Sequence, residues 1–188
     1  VPSAKEEHIL HAGDMGAQGI QIPGLESARA AEEAVRQMRY APKGVRGFSM
    51  TSRAARYTFC PKDQYTQYVN ETLLSVVMVE NREIVEQVPQ LCENPDIDVL
   101  FVGTGDLSQS LGVFGQTSHP AVLDAVQRTA TYARSAGKHF GIIANDFEDA
   151  RRYCKMGAQY IALATDITLI AKMLRYVRGQ FDGILADN

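Results

Sequence analysis

Asp98-Val-Leu-Phe-Val-Gly-Thr-Gly-Asp-Leu-Ser108 reads as a buried strand that ends abruptly on a carboxylate. Val99 to Val102 is apolar at every position, the pattern of a strand covered on both faces. Gly103 and Gly105 allow a sharp turn, and Asp106 falls where a helix would begin. An upstream echo, Ser75-Val-Val-Met-Val-Glu80, puts Glu80 at the exit of a second buried strand running from Leu74 to Val79. Carboxylates at the carboxyl ends of successive parallel strands can converge on one metal ion, because α/β enzymes keep their chemistry at that edge.

The rest of the chain supplies the alternation that such a sheet needs. Strands are expected at Gly19 to Ile22, Val45 to Phe48, Leu74 to Val79, Val99 to Val102, His139 to Ile143 and Tyr160 to Leu163. Helices are expected at Ala4 to Ala12, Ser27 to Met38, Gln64 to Thr72, Arg82 to Val88 and Leu107 to Leu111. Three more follow, one from Pro120 to Gly137, one from Phe147 to Met156, and a last one capped by Thr165 or Asp166. Ile167, Ile170, Ala171, Leu174 and Val177 form one apolar stripe on that last helix. Val1-Pro2 reads as the tail of a strand or loop, and Thr51 to Asp63 as a loop holding a short helix. Met15-Gly-Ala-Gln-Gly-Ile20 recurs as Met156-Gly-Ala-Gln-Tyr-Ile161, one helix-to-strand joint used twice. Six strands in strict alternation imply a parallel sheet with right-handed crossovers. A closed (β/α)₈ TIM barrel usually takes about 250 residues. The 188 residues are therefore expected to be a single domain, a barrel lacking about its first two β/α units, with a doubly wound open sheet as the alternative.

Composition narrows the function. A net charge of −3 gives no basic footprint for nucleic acid or anionic membrane. No apolar run reaches the roughly 18 residues of a membrane span. Three cysteines, Cys60, Cys92 and Cys154, lie far apart without a CxxC, which argues against a disulfide framework or a structural zinc. A reducing, cytoplasmic setting is expected.

A dinucleotide reading of Gly103-Thr-Gly105 fails, because position 108 is Ser and Asp106 would face a pyrophosphate with negative charge. Glu80 and Asp106 as ligands call for a hard, oxygen-loving cation such as Mg²⁺ or Mn²⁺. The competing structural roles are an N-cap for Asp106 and an exposed helix-start acid for Glu80. His8 and His11, spaced i, i+3 with no third ligand, read as a solvated helix face. No lysine falls at the carboxyl end of a strand, and Lys138 precedes its strand, which argues against Schiff-base chemistry. Arg46, Arg53 and Arg56 could bind an anionic substrate or pair with acids at a subunit contact, and the pairing reading is preferred.

Nine stretches together resemble the HpcH/HpaI aldolases, metal-dependent class II pyruvate aldolases. They are Asp14-Met-Gly-Ala-Gln18, Arg39-Tyr-Ala-Pro-Lys-Gly-Val-Arg-Gly47, Ser52-Arg-Ala-Ala-Arg-Tyr57, Val79-Glu-Asn-Arg-Glu83, Phe101-Val-Gly-Thr-Gly-Asp-Leu-Ser108, His119-Pro120, Ala136-Gly-Lys138, Gly157-Ala158 and Thr165-Asp166. The resemblance implies a phosphoenolpyruvate/pyruvate-type TIM barrel, in a homo-hexamer or other dimer-based oligomer. It implies reversible cleavage of a 4-hydroxy-2-oxo acid to pyruvate and an aldehyde, with Mg²⁺, Mn²⁺ or Co²⁺ stabilising the pyruvate enolate. Glu80 and Asp106 match the metal ligands, and Gly105 and Asp106 the backbone contacts to pyruvate. Met78 takes the place of a substrate-contacting Gln, and Gly103-Thr-Gly-Asp106 replaces Gly-Pro-Ala/Asn-Asp. These departures leave room for a related carbon–carbon lyase, an oxaloacetate decarboxylase or a non-catalytic homologue. Asp14 matches an acid that tunes the catalytic His. Its place in a helix-to-strand joint puts it on the bottom face, so it would serve a neighbouring subunit. The general-base His and the pyruvate-binding Arg belong to the first two strands, upstream of Val1. A polypeptide beginning at Val1 would show little aldolase activity.

Overall fold

The protein, described here from a computed structural model over residues 1–186, is an arc of five parallel strands with helices packed on its outer face. In chain order the elements are α1 (Glu6–Asp14), β1 (Gly19–Ile22), α2 (Ala28–Arg36), α3 (Lys62–Thr72), β2 (Leu74–Val79), α4 (Arg82–Glu86) and α5 (Val88–Glu93). They continue with β3 (Val99–Val102), α6 (Thr104–Ser110), α7 (Pro120–Ser135), β4 (His139–Ile143), α8 (Phe147–Lys155), β5 (Ala158–Ala162) and α9 (Asp166–Ala186).

The strands pair in the order β1-β2-β3-β4-β5, each with the next in sequence. A doubly wound sheet reverses its strand order at a switch point. This one never reverses among the described residues, so it follows the progression of a barrel wall. The main-chain nitrogen of Val1 donates to Gln21 O at 3.1 Å, which sets the start of the chain beside β1, although residues 1–2 form no strand.

Alternation along the strands divides the core. Ile20, Ile22, Val77, Val79, Leu100, Val102, Phe140 and Ile142 are buried beneath the helices. Val76, Val99 and Phe101 form a smaller cluster on the inner face with Leu74, Met78 and Ala162. Gly141 is needed on that face, since a Cβ there would stand 2.8 Å from the Phe101 ring and 3.0 Å from Tyr160.

Two expectations are corrected, an expected strand and an expected helix start. Val45 to Phe48 is not a strand: Val45 N and Arg46 N donate to Arg36 O (2.9 Å) and Arg39 O (2.9 Å), so the segment satisfies the carbonyls at the end of α2 instead of a sheet neighbour. Gly44 permits this fold-back, as a Cβ there would lie 2.1 Å from Arg36 O. α1 runs through Gly13 to Asp14 and stops before Gly16, where φ is +92°. The apolar stripe of α9 is largely uncovered among the described residues, with Ile167, Ile170, Leu174 and Val177 all more than half exposed. The helix expected over Leu107 to Leu111 begins three residues earlier, at Thr104, with Gly103 and not Asp106 as its N-cap. Elsewhere the boundaries move by a residue or two, and α5 is an additional helix.

The amino-terminal ends of β2 and β3 are tied by polar bonds. Asp98 Oδ2 accepts from Ser75 N (2.7 Å) and Ser75 Oγ (2.9 Å), and the Ser75 hydroxyl also reaches Asp96 O. Buried Arg39 donates to Leu73 O (2.6 Å) and lies 3.6 Å from Asp98 Oδ2 and 3.9 Å from Asp96 Oδ1. Lys138 Nζ donates to Asn94 O at 2.7 Å at this same end, far from the strand exits.

Candidate active site

The register that builds the sheet also builds the site. Met78 pairs with Phe101 and Val79 with Val102, so Glu80 emerges level with Gly103. Gly103 N donates to Val79 O at 3.2 Å, holding the two strand exits together. Side chains alternate, so with Val79 facing the helices Glu80 turns toward the inner face. A Cβ on Gly103 would fall 2.9 Å from Glu80 Oε2 and 3.1 Å from Met78 Cε. Glycine is therefore required there by the approach of Glu80, with Met78 beside it.

Gly103 caps α6, and Asp106 lies in its first turn. Leu107 N donates to Gly103 O at 3.0 Å, and the N–H groups before it in that turn have no acceptor within the helix. Gly105 faces open space, with nothing within 4 Å of where a Cβ would stand. Ser108 Oγ donates to Gly105 O (2.6 Å) and accepts from Gly115 N (3.0 Å), fastening the turn to the following loop. Glu80 and Asp106 share a cavity of about 460 Å³ with Gly24, Asn81, Gln109 and Ser110. The structure thus brings Glu80 and Asp106 to one cavity, with Gly105 beside Asp106 in the chain, while Met78 lies against Gly103 and is not among the residues lining that cavity.

Glu80 is 7% exposed, and its two oxygens differ. Oε1 accepts from Gly24 N at 2.6 Å. Oε2 is buried and has no hydrogen-bond partner among the described residues. Burial pushes the carboxyl up from its ordinary value, the Gly24 N–H works against that rise, and the Asp106 carboxylate adds to it. A buried, unpartnered carboxylate oxygen in a cavity shared with a second carboxylate is unfavourable in the bare protein, and a divalent cation bound there would relieve it. All-oxygen donors suit Mg²⁺ or Mn²⁺. No cluster of three or more His, Cys, Asp or Glu stands among the described residues, so such an ion would keep several positions for water or a bidentate ligand.

Asp14 is elsewhere. It closes α1 at the amino-terminal end of β1, where its Oδ1 accepts from Arg46 Nη2 at 2.9 Å. The Arg46 side chain is buried against the Tyr40 ring, 4.8 Å from its centroid, with Gly13 on its other side. Arg46 does pair with an acid, but within its own chain and not at the subunit contact expected. His8 bonds Ser3 Oγ, while His119 caps α7 by accepting from Ala121 N. Sequence reasoning missed Gly24 and Asn81. The latter sits in a signal that points to it, an Asn opening a helix immediately after the strand-end acid.

A model of the HpcH/HpaI aldolase/citrate lyase family matches residues 1–172. A 4-hydroxy-2-oxo-heptane-1,7-dioate aldolase from Shigella sonnei is 35% identical over 169 residues, 89% of this chain and 64% of the relative. The chain thus spans less than two thirds of the length of the curated relatives it matches. The structure of an HpcH/HpaI aldolase/citrate lyase family protein from Burkholderia cenocepacia superposes with a TM-score of 0.89 at 31% identity, covering 97% of this chain and 72% of that one. The structure of a citrate synthase, SbnG, superposes at 0.87 with 26% identity, covering 100% and 72%.

Proposed function

The chain belongs to the HpcH/HpaI aldolase/citrate lyase family, and from that premise we propose that it is the metal- and pyruvate-binding part of a carbon–carbon lyase. The reaction we assign is reversible cleavage of a 4-hydroxy-2-oxo acid to pyruvate and an aldehyde, the class named for the Shigella sonnei relative. One observation carries the reading: Glu80 Oε2 is buried and unpartnered, in a carboxylate that lines the same cavity as Asp106. Glu80 and Asp106 would hold Mg²⁺, Mn²⁺ or Co²⁺. When bound, the cation would supply positive charge to the oxygens of a 2-oxo acid and its enolate. The Gly105 and Asp106 N–H groups, free of helical acceptors, would orient the acid's carboxylate. The thioether of Met78 offers no strong hydrogen bond and would serve as an apolar wall.

Oxaloacetate decarboxylation is the second reading: it passes through the same enolate, and Met78 and Thr104 stand where the resemblance implies other residues. Asp14, at the amino-terminal edge, would act on the site of a neighbouring copy. Exposed apolar residues on α9 support assembly of several copies.

Pyruvate release from 4-hydroxy-2-oxo acids, followed with Mn²⁺, with Mg²⁺ and with chelator, tests the assignment. We expect turnover by the longer protein, with the upstream β/α units present, to fall at least about 100-fold with chelator, since without the cation no positive charge stabilises the enolate. Metal-independent pyruvate release would refute it. Carbon dioxide release from oxaloacetate, outpacing aldol cleavage, would favour the second reading.

A further inference from the structure

The turn after β1 and the turn after β2 are joined by two bonds running in opposite senses. Gly24 N donates to Glu80 Oε1 at 2.6 Å, and the Asn81 side-chain amide donates back through Nδ2 to Leu25 O at 2.8 Å. Asn81 also caps α4, its Oδ1 accepting from Ile84 N at 2.9 Å. One side chain therefore uses its acceptor to start a helix and its donor to grip the neighbouring turn. Gly24 has φ +69°, a conformation that lets consecutive main-chain groups face the same neighbour, and nothing lies within 4 Å of where its Cβ would be. Leu25, 1% exposed, anchors that turn in the core.

This arrangement decides between the two carboxylate oxygens. With Oε1 held by a main-chain N–H, Oε2 alone is left without a partner. We propose that Asn81 is a positioning residue: by holding the 23–25 turn it keeps the Gly24 N–H on Glu80 Oε1 and commits Oε2 to the cation as a single-oxygen ligand. The proposal rests on the metal reading above and adds to it a fixed mode of ligation. Outer partners that orient a ligand in this way characteristically change metal affinity by 10–100-fold when removed. An unheld Glu80 would have to lose rotamer freedom on binding, and its Oε1 would compete for the ion with Oε2.

The test separates grip from cap. Asn81→Ser keeps a good capping oxygen but is too short to reach Leu25 O. Asn81→Ala loses both functions. In Mn²⁺ titrations followed by electron paramagnetic resonance, we expect Kd to rise at least about tenfold in both variants. The melting temperature of Asn81→Ser should stay within about 2 °C of wild type, while that of Asn81→Ala falls by a further ~2–4 °C with the lost cap. Hydrogen exchange supplies a metal-free measurement: the Gly24 amide should exchange about tenfold faster in Asn81→Ser, an opening of about 1.4 kcal/mol. A Kd within twofold of wild type in Asn81→Ser overturns the positioning role whatever the exchange rate does. Failure of the wild-type protein to bind Mn²⁺ at all would overturn the metal reading itself, and this inference with it.

Discussion

Glu80→Gln should stabilise the metal-free protein while removing its affinity for Mn²⁺ by at least about 100-fold, above the effect of an outer-shell partner. The two effects share one cause. Glu80 is held as a buried carboxylate with one unpartnered oxygen and a second carboxylate nearby, so its protonated form is favoured by folding. A carboxyl whose value is raised in the folded state makes the folded chain bind more protons than the unfolded one. Stability then falls as pH rises from the ordinary glutamate range through the raised value, and stays lower above it. Glutamine has no such titration and keeps an oxygen for the Gly24 N–H. Its advantage should therefore be absent in acid, grow through that window and be complete at neutral pH. On the order of 1 kcal/mol, the low end for a buried unsatisfied group, this raises the melting temperature by roughly 2–4 °C in a chain of this size. Mn²⁺ should reverse the order, since a ligand at 100 times its Kd adds about 2.7 kcal/mol to wild type alone. Thermal melts at pH 4 and pH 7, with and without Mn²⁺, read all four states. A variant that melts below wild type without metal, or that Mn²⁺ stabilises equally, would defeat the assignment of Glu80.

The strand ends were legible because the physical signal was local. Val99 to Val102 is apolar at every position, two glycines follow, and an acid closes the turn. Nothing local could distinguish Val45 to Phe48 from a strand, for its fate depends on carbonyls at Arg36 and Arg39 that only the folded α2 presents. The α9 stripe is a similar case, since periodicity announces an apolar face but not what covers it. Glu80 and Asp106 could be nominated from position, yet their convergence is a matter of register, Val79 against Val102, and register is set by the whole sheet. The Gly24 bond that makes the two Glu80 oxygens unequal spans 56 residues, and single-sequence reasoning has no access to it.

Arg39→Ala should have the opposite character, a large loss of stability with no change in metal affinity. Its guanidinium is buried at the amino-terminal end of the sheet, where burial pulls its pKa down and Asp98 and Asp96 push it back up. Removing it strands Leu73 O and leaves two carboxylates without their counter-ion. Breaking a buried ion pair from one side costs about 3–5 kcal/mol. The lower end applies, because Asp96 and Asp98 are about one third exposed and water can reach them. Roughly 3 kcal/mol corresponds to a fall of about 6–12 °C in melting temperature. Arg39→Lys should recover only part of this, as one ammonium cannot face Leu73 O and both acids in the geometry of a planar fork. β2 separates this network from Glu80 by six residues, about 20 Å of strand. Substitutions so far apart with no shared partner add to within about 0.5 kcal/mol. The double variant Arg39→Ala, Glu80→Gln should therefore melt a few degrees above Arg39→Ala alone in the absence of metal. Additivity would locate stability at one end of the strands and ion binding at the other. A coupling above about 1 kcal/mol would mean that the two ends of β2 are not independent, and that the buried arginine also shapes the carboxylate site.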